Sequence, residues 1–173
     1  FFDIKKLEHI NSHYIGAMPV GTFAGEVSKY IEKIGWSPPH YDKSVLESLS
    51  PYLQQRTTRI RDVIPLLDWI FEDEIPQETD EKEIAKIAKA MGSELVPEIL
   101  EETIKRLQKC QWDAETLSAE IREVGDTLNA KSQVPVRIAV TGRRTGLPLF
   151  EPMACLNRQL VLERLQRARS NLK

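Results

Sequence analysis

Arginines set between glycines can grip phosphates, and residues 135–150, "PVRIAVTGRRTGLPLF", are built that way. Arg137, Arg143 and Arg144 offer planar guanidinium forks that suit phosphate oxygens and stack on bases. Gly142 and Gly146 flank the arginine pair, with Thr145 beside it, and glycine lets a backbone come close to a ligand. Pro148 reads as the opening of a helix, where a missing N–H does no harm. Arginines beside a helix N-terminus would form a phosphate site. The same residues fit equally well an inter-helix loop whose arginines stand in water.

Other chemistry is thin. The GxxxxGKS/T spacing of a P-loop is absent, as is GxGxxG. His9 and His13 stand four apart and could share one helix face for a metal, but no acid follows the first histidine and no third ligand is evident. Ser12 and Ser44 lack the context of a nucleophile. The many carboxylates sit at solvent-face spacing, and nothing in the sequence would shift their pKa. The sequence therefore predicts no catalytic residue, no metal site and no cofactor in this chain. Binding is what remains. Aromatic content of 7% argues against an RRM-type stacking platform.

Charge is unevenly placed. Between Glu72 and Glu102, eleven acids stand against three lysines, a net of −8. Between Lys131 and Lys173, nine bases stand against Glu151 and Glu163, a net of +7. A smaller basic knot holds Arg56, Arg59 and Arg61. Such asymmetry suits a polyanion bound on one side and held off on the other; it also suits plain solvated helix faces. No apolar run reaches the roughly 20 residues of a membrane span. Cys110 and Cys155 lie far apart with no CxxC pairing, which argues for a reduced, intracellular setting. The start "FFDIKKLEHI" has no Met and no leader pattern, and reads as a cut within a longer protein.

Helices must position these residues. Ile4, Leu7, Ile10 and Tyr14 share one stripe. Thr22 reads as an N-cap before Phe23, Val27, Tyr30, Ile31 and Ile34, with Gly35 as the stop. Asp42 begins the next helix, ahead of Val45, Leu46 and Leu49. "RIRDVIPLLDWIFED" carries a broad apolar stripe that Pro65 should kink. The polar segment "EIPQETD" marks a boundary between a unit at 1–75 and one at 76–173. Thr79 and Asp113 read as caps of later helices. Leu95, Ile99, Leu100, Ile104 and Leu107 form one stripe, and Leu117, Ile121, Val124 and Leu128 the next. A last helix carries Leu156, Leu160, Leu162 and Leu165 among arginines. "VPVRIAV" dissents: its period-two alternation calls for a strand by propensity.

At this point a resemblance enters. "FDIKKLEHINSHYI" resembles the segment that follows the catalytic core in bacterial-type glutamyl-tRNA synthetases, through Phe2, Asp3, Lys6, Leu7, Asn11, Tyr14 and Ile15. "RIRDVIPLLDWIFED" resembles a helix of that family ending in aromatics and an acidic turn. "RIAVTGRRTGLPLFEPMACLNRQLVLERL" resembles its C-terminal signature of arginine, Thr-Gly, a variable turn, Leu-Phe-Glu and a leucine-arginine helix. The matches run in order along nearly the whole chain.

The resemblance implies an all-α fold: two consecutive helical bundles forming an anticodon-binding cage, with "VPVRIAV" helical against its propensity. It implies that the nucleotide-binding core lies outside this chain, so that ATP and Mg2+ belong to the intact ligase. It implies tRNA(Glu) as partner, with no DNA and no membrane, in a cytoplasmic monomer. Arg56 falls where the family reads the last anticodon base. Arg137 falls where an arginine holds the anticodon loop. Gly146, Leu147 and Leu149 fall at contact positions of the turn, while Arg143 and Arg144 are added charge for phosphates. The guanidinium groups of Arg56 and Arg137 would then enclose one RNA loop, with the acidic block facing away. The rival reading is a helical protein-interaction module with no RNA ligand.

Overall fold

Apolar residues three and four apart ride on ten α-helices in the computed structural model, which describes residues 4–172. No strand occurs among the described residues, and the chain is all-α. Contacts divide it into two compact units, residues 1–74 and 75–173.

The first unit holds α1 (Ile4–Ala17), α2 (Val20–Ile34), α3 (Lys43–Gln54), a 3-10 turn (Ile60–Val63) and α4 (Ile64–Phe71). α2 packs on α3, and Phe23, Val27 and Ile31 of the one and Leu46, Leu49 and Leu53 of the other are all buried. Each such side chain contributes roughly 1.5–3 kcal/mol through removal from water. Phe71 closes this core between Trp36 and Tyr41, with ring centroids 6.3 and 5.4 Å away.

Several local expectations shift here. α2 starts at Val20 with Pro19 at the cap position, so Thr22 lies inside its first turn. Gly35 does end that helix, in the left-handed region at φ 68°. Asp42 caps α3 by accepting from the Ser44 N–H at 2.7 Å. Pro65 does not kink a helix: a 3-10 turn precedes it, and it occupies the first turn of α4, where no donor is missed. The α1 stripe is turned outward, with Leu7, Ile10 and Tyr14 exposed and Ile15 buried instead. Periodicity identifies an apolar face but not what covers it. Phe2 and Asp3 of the resemblance lie outside the described residues.

The second unit holds α5 (Glu81–Met91), α6 (Val96–Leu107), α7 (Ala114–Thr127), α8 (Gln133–Thr141), α9 (Phe150–Cys155) and α10 (Arg158–Ser170). α8 runs through its centre, against α5, α6, α7 and α10. Pro135, Val136, Ile138, Ala139, Val140 and Thr141 are all buried, so α8 is covered on most sides. A helix buried all round has no polar stripe, and a short apolar run then mimics a strand. Burial outweighs the small helix penalty of its β-branched residues. Asp80, one residue past Thr79, caps α5 through the N–H groups of Lys82 and Glu83. Asp113 caps α7 as expected. The last apolar stripe is split, because the chain breaks between Cys155 and Arg158 and Asn157 caps α10.

Four carboxylates on this scaffold sit below their ordinary values. A hydroxyl from Ser44 lowers Asp42, the Thr116 N–H lowers Asp113, and Lys86 and Lys105 lower Glu83 and Glu101 by hydrogen bonds. A lowered folded-state pKa adds stability that is present above the unfolded value and is lost as pH falls through the folded one. Thermal melts followed by circular dichroism should therefore give a midpoint that is flat above about pH 5 and falls once the pH drops below about 4, where these carboxylates protonate in the unfolded chain. A midpoint unchanged down to pH 3 would contradict these four interactions.

Candidate nucleic-acid interface

The sequence "TGRRTG" becomes the turn that leaves α8. Gly142 caps the helix at φ 73°, with its N–H on the Ile138 carbonyl at 2.8 Å. The Arg143 N–H donates to the Thr141 hydroxyl oxygen at 3.1 Å, folding the turn back on its helix. Arg137, half-buried, sends Nη1 to the Leu147 carbonyl at 2.9 Å and so ties α8 to the far side of the turn. Gly146 takes φ 152° with open space around it, and Thr145 is exposed.

The leucines of this turn face inward. Leu147 and Leu149 are each 1% exposed and belong to the core. Their side chains cannot reach a ligand, so any contact from these positions falls to the backbone. Pro148 does not open a helix: α9 begins two residues later at Phe150, spans only six residues and carries Glu151 in its first turn. That short, acid-bearing end is no phosphate site.

Arg144 is already engaged. Its Nη1 meets Glu83 Oε2 at 3.4 Å while Lys86 Nζ meets Oε1 of the same carboxylate at 2.6 Å. The hydrogen bond from Lys86 holds Glu83 below its ordinary value, helped by the charges of Lys86 and Arg144. A second pairing joins Arg169 to Glu101 at 2.5 Å. The acidic and basic blocks are thus partly matched to each other rather than simply segregated. More of the C-terminal basic run is structural. Arg164 is 3% exposed and donates to the Val140 carbonyl at 3.1 Å. Arg158 lies over the Trp112 ring, 5.2 Å from its centroid, and bonds the Cys110 carbonyl at 2.7 Å. Sequence reading missed both roles; the signal for Arg164 was its place among Val161, Leu162 and Leu165.

Arg56 differs from all of these. It follows α3 in the first unit, with its N–H on the Leu53 carbonyl at 2.9 Å. Its side chain is exposed and bonds no described residue. Nearby Arg59, by contrast, is paired with Glu8. Arg56 belongs to the first unit, and Arg137, Arg143, Arg144, Thr145, Gly146, Leu147 and Leu149 to the second. His9 and His13 are both exposed on α1, and among the described residues no three His, Cys, Asp or Glu side chains gather as a metal would need. No described helix is long and apolar enough to cross a membrane.

Known proteins carry the same pattern. The glutamate–tRNA ligase of Frankia casuarinae is 36% identical over 99% of this chain and 36% of its own length. That of Thermobifida fusca is 37% identical over 100% of this chain and 37% of its own. The chain thus spans little more than a third of the length of these relatives. A crystal structure of a glutamate tRNA ligase from Elizabethkingia meningosepticum superposes with a TM-score of 0.81 at 16% identity, over 99% of this chain and 33% of that one, which shows a shared fold. A family model described as an anticodon binding domain matches residues 22–169, and the chain belongs to that anticodon-binding family.

Proposed function

We propose that this chain is the anticodon-binding part of a glutamate–tRNA ligase and that it recognises the anticodon loop of tRNA(Glu). The observation that carries the reading is the anticodon-binding family match over residues 22–169, together with the uncommitted guanidinium of Arg56. Proteins that read RNA by sequence take unpaired loop bases and bond their exposed edges, which an arginine fork does well. In this reading Arg56 takes a base edge and Arg143 supplies charge for phosphates, while Arg144, held by Glu83, adds only to the local positive field. Arg137 acts chiefly by holding the turn, through Leu147, so that Thr145, Gly146 and the backbone at Leu147 and Leu149 meet RNA in a fixed geometry.

The chemistry of the whole ligase, which joins glutamate to tRNA with ATP and Mg2+, would belong to the portion outside this chain. This part contributes binding and discrimination, as a monomer in the cytoplasm. No observation favours a helical adaptor without RNA. Filter binding of the chain to tRNA(Glu) at about 50 and 200 mM salt is the test. Binding should be strong at low salt and fall steeply at high salt, since phosphate contacts release counterions. Absence of binding at the lower concentration would overturn the reading.

A further inference from the structure

A second cationic feature of the C-terminal unit borders the Arg137 turn and shares Arg144 with it. Between α5, α6 and α8 opens a cavity of about 560 Å³. This is within the ~300–1,000 Å³ range of sites for small ligands. Four cations line it: Lys86 and Lys89 on α5, Lys131 before α8, and Arg144. Its floor is apolar, formed by buried Val96 and Ile99 of α6. At the mouth stand Leu95 and Val134, which keep 40% and 38% of their surface in water.

The cations are not equivalent. Glu83 holds Lys86 and Arg144 from its two oxygens and so fixes both in place. Lys89 and Lys131 bond no described residue and are exposed. An ordinary surface lysine stands beside polar neighbours; these two line the same cavity as the partly exposed Leu95 and Val134. A ligand that satisfies both must be anionic at one edge and apolar on one face.

We propose that this cavity holds one unstacked nucleotide of the bound RNA, with its phosphate on Lys89 and Lys131 and its base against Leu95 and Val134. The inference rests on the proposed RNA-binding function and adds a subsite to it. Every base has an apolar face, and no side chain here offers a fixed donor and acceptor pair. The subsite therefore grips without reading sequence, leaving discrimination to Arg56.

Filter binding of tRNA(Glu) across a salt series separates the contributions. For Lys89→Ala with Lys131→Ala, the slope of log affinity against log salt should fall by about 0.7, from the one single-strand phosphate that the two lysines share. Leu95→Ala with Val134→Ala should weaken binding about threefold to tenfold with the slope unchanged, because only apolar contact is lost. Lys33→Ala, an exposed lysine on α2, should leave the slope as it was. Thermal melts of each variant show that the fold is kept. An unchanged slope in the lysine pair, while the unaltered chain binds, overturns the subsite and leaves the proposed function standing. A reduced slope with no effect of the apolar pair overturns the nucleotide pocket in favour of a bare phosphate rail. Failure of the unaltered chain to bind tRNA overturns both.

Discussion

Arg56→Ala should lower affinity for tRNA(Glu) by about tenfold to a hundredfold, with the salt slope nearly intact. A bidentate arginine–base contact contributes about 1–3 kcal/mol of discrimination, and each 1.4 kcal/mol is a factor of ten. The fold should not change. The side chain is exposed, bonds no described residue, and the backbone bond to Leu53 survives truncation. Surface changes of this kind stay within about 0.5 kcal/mol in stability. Arg56→Lys is the sharper variant, since it keeps the charge and removes the fork. It should restore little of the loss. Arg143→Ala should behave differently, weakening cognate and non-cognate RNA alike and reducing the salt slope by about 1. Titrations against tRNA(Glu) and against a tRNA altered at the last anticodon base distinguish the two roles. Equal losses on both RNAs for Arg56→Ala would refute base reading at this position.

How far the sequence discloses such a site depends on what physics each residue obeys. Helices were legible wherever one face stays in water, as with Asp113 capping α7 ahead of Leu117, Ile121 and Val124. α8 was not legible from its own residues, because burial on most sides erases the polar stripe that periodicity needs. Only its resemblance to a known family gave the helix. Arginine count overstated the binding surface for a related reason. A guanidinium is named identically whether it faces RNA, Glu83, a tryptophan ring or a buried carbonyl, and Arg144, Arg158 and Arg164 have the last three partners. Those partners lie 24 to 61 residues away for Arg164 and Arg144, beyond any local pattern. The same distance hides the cavity that joins Lys89 to Lys131. Leu147 and Leu149 show the converse, since contact positions in a turn are compatible with side chains facing the core.

Gly142→Ala should cost about 2–4 kcal/mol of stability. Two causes add. The residue sits at φ 73°, where an L side chain costs about 1–2 kcal/mol. A Cβ there would also lie 2.5 Å from Ile75 Cγ2 and 2.7 Å from the Pro76 carbonyl oxygen. The isoleucine methyl can turn aside, but the carbonyl is backbone and moves only with its segment. Gly146 provides the internal control, because it is also at positive φ, 152°, yet nothing lies within 4 Å of its would-be Cβ. Gly146→Ala should therefore show backbone strain alone, about 1–2 kcal/mol. Urea midpoints at fixed slope measure both. Equal losses for the two alanines would mean that residues 75 and 76 yield freely to the turn, and that Gly142 is required for its backbone angle alone. A larger loss at Gly142 makes the close approach of that segment part of what holds Arg143 and Arg144 in place. RNA affinity of Gly142→Ala should then fall even at temperatures where the chain remains folded.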